Sequence, residues 1–566
     1  MYKIYLFIFL LVAGVTTGES QTTKPVKILG AGLGAAAQTP YNLTSGKSLT
    51  LYKDTLYILT GFYFVDSLAE INIQAGTVIQ GDSATQAALI IKRGGKIFAQ
   101  GTSSQPIVFT SAKPVGQRKR GDWAGIIILG SAPTNKPATQ FVEGVSVGGQ
   151  YGGSNSADNS GVIKYVRIEY PGIVISANNE VNGLTMGGVG SGTTIEYVQV
   201  SYSNDDSFEW FGGTVNAKYL VAYGGTDDDF DTDYGFNGKV QFGFGKRDST
   251  IWDAAGQSNG FESDNEGSSP YLATPLTSPV FCNMTVVGPQ PDTTKGLMIG
   301  NKFEYGAVIR KNSRMSILNS VIVGYPFGIS LRDSVTALAA TDGISKIRNV
   351  SLQSKTNVLN LNSGAGSSTA ALFNFVNYFT TTGWNNNGST PREHASIGGT
   401  WNPFATPIPN PIPSSTSELV TLVNTLPSGS PSELVQTTYR GAFDPTLSRS
   451  AQWDNGWTNY SPQTTNYSVT SVDEKFVNPI AYKLEQNFPN PFNPSTTISY
   501  TIPFSGITVV KVFDILGKEV ATLVNENQSA GNYKINFDAK NLSSGIYFYS
   551  LKSGSFTQVK KLTLMK

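Results

Sequence analysis

The chain has 566 residues, enough for several domains, with 39% hydrophobic but only 14% charged residues, against about 25% charged in an average globular protein. So little Glu and Lys beside 60 Gly leaves few residues to solvate helix surfaces, so the fold is expected to be all-β and a helical bundle is excluded. With 41 basic and 40 acidic residues there is no net field for nucleic acid or an anionic membrane, and a single Cys (Cys282) and a single His (His394) exclude an internal disulfide and a multi-His metal centre.

Met1-Tyr2-Lys3, the apolar run Ile4 to Val12 and the small, polar stretch to Ser20 read as a secretory signal peptide over 1–20. That run is too short to span a bilayer, and no later segment approaches the ~20 apolar residues a transmembrane helix needs. Residues 21–70 read as an N-terminal cap with the first strands. From 71 to 355 short β runs recur between Gly, Asn, Ser and Asp, the mark of a solenoid. Six segments superpose: Ile163–Ile168, Ile195–Val200, Ala217–Ala222, Phe281–Val286, Ile317–Ile322 and Ile347–Leu352. Their third position is Tyr165, Tyr197, Tyr219, Asn283, Asn319 and Asn349. Adjacent inward positions, the third and fourth, break strict strand alternation and require a corner, which Asn tolerates through its left-handed backbone. Stacked coils would set the three Tyr in an aromatic stack and the three Asn in a hydrogen-bonding ladder. The expected architecture is a right-handed parallel β-helix.

Gly76-Thr77-Val78-Ile79, Gly121-Asp122-Trp123-Ala124-Gly125 and Phe208-Glu209-Trp210-Phe211-Gly212-Gly213-Thr214, with Trp453-Asp454-Asn455-Gly456-Trp457 near the end, resemble the β-helical surface or lipoprotein-like proteins of Bacteroidetes, whose role is unassigned. This chain departs from many of them in lacking a lipid-bearing Cys. Residues 356–465 loosen into Asn, Thr, Ser and Pro and read as a capping segment that closes the helix, with weak helical spacing over Ala371 to Phe379 and Glu418 to Leu426. A linker is placed at 466–481.

From 482 to 566, alternating runs such as Ile507 to Asp514, Tyr533 to Asp538, Ile546 to Lys552 and Phe556 to Leu564 are separated by turn residues, as in a small β-sandwich. Gln486-Asn487-Phe488-Pro489-Asn490-Pro491-Phe492-Asn493-Pro494, Phe513-Asp514-Ile515-Leu516-Gly517-Lys518 and Leu542-Ser543-Ser544-Gly545-Ile546-Tyr547 resemble the C-terminal sorting domain of type IX (Por-type) secretion substrates. The resemblance implies that the type IX machinery exports the chain, that a surface sortase is a partner through 482–566, and that the product is extracellular or attached to the outer-membrane surface.

The chemistry-bearing residues concentrate in one stretch. From Asn204 to Glu266 there are 13 acids and 4 bases. Asp227, Asp229, Asp231 and Asp233 stand at alternate positions, so an extended backbone would aim them to one side, with Asp205 and Asp206 nearby. Such repulsion is relieved by a hard cation with oxygen ligands, a structural Ca²⁺, or by solvent along an acidic loop edge. The EF-hand pattern fails, because Tyr234 and Val240 fall where that loop needs Gly and Glu. Trp210, Phe211, Tyr234 and Trp252 are candidate platforms for sugar rings, the alternative being core stacking. Gly144-Val145-Ser146-Val147-Gly148 mimics a nucleophile elbow and Gly30-Ala31-Gly32-Leu33-Gly34-Ala35 a dinucleotide fingerprint, both outside the strand–helix context those motifs need. Two functions stay open: a non-enzymatic module for adhesion or for binding an extracellular polysaccharide or cell-surface glycan, and a carbohydrate-active enzyme, either a polysaccharide lyase with Lys164, Arg167 or Lys218 as base or a glycoside hydrolase with two carboxylates drawn from Asp205, Asp206, Glu209 and Asp228.

Overall fold

The computed structural model describes residues 24–467 and 482–566, apart from 177–178, 254–257, 290–302, 362–373, 390–408, 414–416, 423–424, 503–505, 529–530 and 555. The signal peptide reading, His394 and most of the linker lie outside these residues.

From Val26 onward the chain coils so that each turn lays strands parallel on those of the turn before. Val26–Gly30, Pro40–Leu43 and Ser48–Leu51 pair in register with Leu56–Thr60, Phe62–Val65 and Glu70–Ile73, so the segment read as a cap is itself coiled β-helix. Three stacks of strands result. In the later coils the first two stacks share single bent strands: Gly161–Glu169 pairs through Gly161–Lys164 with Lys96–Gln100 and through Val166–Ile168 with Ile107–Ser111. The third stack runs through Phe62–Val65, Ala88–Ile91, Gly125–Leu129, Leu184–Val189, Phe208–Gly213, Phe230–Asp233, Phe261–Ser263 and Tyr305–Ile309. Parallel strands buried on both faces need near-continuous apolar runs, and the interior is one cluster that includes Ile163, Ile195, Phe208, Trp210, Phe230, Phe261, Phe281 and Ile317.

The bend between the first two stacks falls on the residues whose spacing required a corner. Tyr165, Tyr197, Tyr219, Asn283, Asn319 and Asn349 have φ of 51°, 55°, 62°, 51°, 46° and 56°. Left-handed backbone costs a non-Gly residue about 1–2 kcal/mol, and stacking offsets it: the rings of Tyr165 and Tyr197, and of Tyr197 and Tyr219, lie 4.3 Å apart. A further rung, Phe242 at φ 62°, stacks on Tyr219 at 5.1 Å. Its strand, Lys239–Lys246, escaped the sequence alignment because Gly243 stands where the other coils carry an apolar side chain; a Cβ there would meet the Met284 side chain at 2.1 Å. Asn349 Nδ2 donates to Asn319 Oδ1 at 2.7 Å, whereas Asn283 Nδ2 turns outward to Thr437 Oγ1, Tyr439 O and Gly441 O.

The segment 356–465, read as closing the helix end, divides its work. A short helix, Phe375–Phe379, shuts the last coil, with Phe375 and Phe379 in the interior cluster and Tyr378 Oη donating to Ser345 O at 2.6 Å. The described part of residues 417–467 instead forms a strap that runs back along the flank. Arg440 reaches Ser351, Ala442 N donates to Thr285 Oγ1, Trp457 stands edge-on to Tyr165 and Tyr197, Gln199 binds Asn459, and Tyr467 Oη donates to Glu169. The solenoid had an outer apolar face to cover, of Val221, Tyr223, Phe244, Val287 and Val323, and Leu419, Phe443, Trp457 and Tyr460 cover it. Tyr467 is buried with Leu56, Val78 and Val108, so the packed body extends through it, past the linker start expected at 466.

Residues 482–566 form a separate antiparallel sandwich. One sheet orders Lys483–Leu484, Ser495–Ile502 and Gly531–Asp538; the other orders Glu519–Gln528, Gly506–Phe513, Gly545–Ser553 and Phe556–Leu564. Its core is built on Phe492, Tyr500, Val510, Tyr549 and Leu562.

Candidate functional site

On the outward face of the third stack, parallel register places one residue of each coil in a column. Its members are Ile127, Thr185, Glu209, Asp231, Glu262 and Val308. Neighbouring strands are about 4.8 Å apart, so three carboxylates are stacked where the flanking coils carry apolar or neutral side chains. Asp205, Asp206 and Asp227 join them from the turns just before these strands.

Two trios result, each with carboxylate oxygens within 4.8 Å of one another: Asp205, Asp206 and Asp227, and Asp206, Glu209 and Asp231. Oxygens on opposite sides of a Ca²⁺ ion, each at about 2.4 Å, are separated by about that distance. The donors are all hard oxygens, which suits Ca²⁺. One Asp231 oxygen, Oδ1, is buried without a hydrogen-bond partner, as a carboxylate reserved for a cation would be. Burial, then the charges of the neighbouring acids, holds Asp205, Asp206, Glu209, Asp227 and Asp231 well above the ordinary carboxylate range. Asp233 is lifted to about 8, again chiefly by burial.

The alternate spacing of Asp227, Asp229, Asp231 and Asp233 does not bring them together. The chain turns before Phe230, so Asp229 points inward, 3.6 Å from Arg247 Nε and 3.4 Å from Tyr325 Oη. Asp233 lies outward beside Phe211 in the register, and its carboxylate accepts from Tyr234 N. Glu209 was not singled out as a ligand. The signal was present: Asp205-Asp206-Ser207-Phe208-Glu209 repeats as Asp227-Asp228-Asp229-Phe230-Asp231, which stacks Glu209 on Asp231. Glu262 and Asp264 are neutralised by Arg310, and Asp264 also by Lys311 at 2.6 Å.

Cavities lie at both ends of these strands. One, of about 590 Å³, is lined by Lys119, Arg120, Tyr202, Asn204, Thr226 and Trp252 among others, next to Asp205 and Asp227. The other, of about 580 Å³, is lined by Phe141, Glu143, Ser146, Tyr151, Phe211 and Tyr234 among others. Burial first, then the adjoining Glu180, lifts Glu143 to about 7. Of the proposed sugar platforms, Trp210 is lost to the interior, stacked on Phe208 and Phe236. Phe211 is nearly buried, and only Tyr234 and Trp252 keep partial exposure.

The bases considered for a lyase stand on other faces. Lys164 pairs with Glu196 at 2.8 Å, Lys218 donates to Glu433 O in the strap, and Arg167 is buried against Glu169 and the Tyr467 ring. Ser146 lies in an exposed turn with no strand-to-helix elbow, and Gly30 ends a coil strand with no helix following it. Cys282 is buried, its thiol donating to Asn283 Oδ1 and pushed up to about 12 by burial.

A coiled parallel body with an acidic outer strip, followed by an antiparallel sandwich, defines a two-part β-helix protein. The chain belongs to the family of the pectate-lyase like beta helix domain, which residues 42–401 match. Residues 486–565 match the secretion system C-terminal sorting domain, so the chain is exported by type IX secretion to the cell surface or the extracellular space. No helix among the described residues is long and apolar enough to cross a membrane. No curated protein and no solved structure matches the chain.

Proposed function

We propose that this protein is a secreted glycan-binding module whose acidic strip holds Ca²⁺ and presents it, with the flanking cavities, to an extracellular polysaccharide or cell-surface glycan. The observation that carries the reading is the pair of carboxylate trios sharing Asp206, with no lysine or arginine paired to them among the described residues. A Ca²⁺ held there would offer its open positions to sugar hydroxyl or carboxylate oxygens. Binding is favoured over β-elimination because Lys164, Arg167 and Lys218 are engaged on other faces, and Arg310 and Lys311 are engaged by Glu262 and Asp264. The machinery of the type IX system and its sortase would act on residues 482–566.

The test is retention of the purified protein on immobilised neutral, acidic and amino polysaccharides with Ca²⁺ and with EDTA, followed in parallel for unsaturated products and new reducing ends. Ca²⁺-dependent retention without turnover is the expected result. A polysaccharide lyase or hydrolase is the second reading, favoured by the family and by the lifted carboxyl of Glu143 in a cavity. Turnover lost in Glu143→Gln would establish it in place of the module.

A further inference from the structure

We propose that the cavity beside Tyr234 receives a glycan carrying free amino groups, the amine held by Glu143 with Asp233 behind it, and a sugar ring lying on Phe141. This rests on the glycan-binding reading and adds the chemical class of the ligand.

The cavity has room for sugar rings, and among the described residues no lysine or arginine lines it. Its charged lining residue is Glu143, whose Oε1 accepts from Glu180 N at 3.2 Å. Glu143 is held on the loop that covers the third stack, anchored by Val142 and Val145 in an apolar cluster with Tyr151 and Phe211. Behind this wall Asp233 is the register partner of the lining Phe211, and its carboxylate accepts from Tyr234 N. An acidic polymer would meet Glu143 and Asp233 as repulsion, and a neutral one would make no use of them. An ammonium group both pairs with the carboxylates and sits well against aromatic rings.

The chain already seats one ammonium at this wall: Lys136 Nζ lies 4.4 Å from the centre of the Tyr234 ring. Phe211 stacks on the same ring at 5.7 Å. The aromatic surface left for a ligand is therefore Phe141, which is 39% exposed at the rim. A flat aromatic rim beside a carboxylate pocket suits a pyranose ring with an amino substituent better than the thin, flexible stem of a protein lysine.

Calorimetric titration of the full chain in Ca²⁺ with a glucosamine tetrasaccharide, its N-acetylated counterpart, a galacturonate tetrasaccharide and tetralysine tests this. The glucosamine oligomer is expected to bind about tenfold tighter than the N-acetylated one, the worth of one charge-assisted contact, and to weaken as salt is raised. Glu143→Gln and Phe141→Ala, each with an unchanged melting temperature, should each remove most of that difference or that affinity, respectively. Equal binding of the N-acetylated oligomer would overturn the amine assignment and leave the glycan-binding reading intact. Preference for galacturonate would do the same in favour of an acidic ligand. Tetralysine binding as tightly as the amino sugar would replace the glycan with a basic protein partner. Binding by none of the four would remove both readings.

Discussion

Asp206 belongs to both carboxylate trios, so replacing it with Asn should have opposite effects with and without Ca²⁺. Asn keeps the shape and can still accept the hydrogen bond that Asp228 N gives Asp206 Oδ1 at 2.6 Å. Without metal, Asp206 is opposed by Asp227, Asp231, Asp228 and Asp205. Two full charges about 4.8 Å apart at an effective dielectric constant of about 20 repel by about 3 kcal/mol, and partial protonation and solvent reduce this to the order of 1 kcal/mol. Asp206→Asn is therefore expected to raise the melting temperature in EDTA at pH 8 by about 1–3 °C. With Ca²⁺ at about 100 times its dissociation constant the native protein gains about 2.7 kcal/mol, or roughly 5 °C, and the variant should lose most of that gain. Differential scanning calorimetry of both proteins in EDTA and in Ca²⁺ measures the four values. A variant destabilised equally in both buffers, or one that keeps the full Ca²⁺ shift, would refute the cation site.

The metal-free protein should become less stable as pH rises from about 4 to 8. Asp229 faces Arg247, Tyr325 and Asp228, and burial outweighs the Arg247 attraction to lift it to about 7. A carboxyl raised in the folded state contributes stability that is present below its unfolded value and lost as pH climbs through the folded one. Urea midpoints at stepped pH in EDTA check this, and midpoints rising with pH would contradict it. At the corner, Tyr197→Ala should cost about 1–3 kcal/mol through two lost stacking contacts. Tyr197→Asn should cost less, because Asn accepts the left-handed backbone; a Tyr197→Asn protein less stable than Tyr197→Ala in urea unfolding would contradict the corner argument.

Much of the fold is legible because a solenoid repeats its local requirements. Tyr165, Tyr197 and Tyr219 announce the corner by occupying one position of one pattern, and the sorting domain announces itself through ordered turns and alternating strands. Lys239–Lys246 was missed because Gly243 makes way for Met284 from the next coil, a packing exchange between rungs that a single segment does not display. The acidic strip was legible as composition and misread as geometry: alternate spacing projects to one side only while the backbone stays extended, and here it turns before Phe230.

The amino-acid sequence by itself determined the all-β coiled body, its left-handed corners, the export tail and the concentration of acid between Asn204 and Glu266, because periodicity, backbone preference and charge are local properties. Only the tertiary structure decided which acids meet. Glu209 reaches Asp231 through inter-strand register, Asp229 is drawn inward to Arg247, and Trp210 is claimed by the core. It also decided that residues 417–467 strap the flank, where Trp457 and Tyr460 cover apolar side chains from several coils at once. Those partners lie far apart along the chain, and stacking of coils is what brings them within reach.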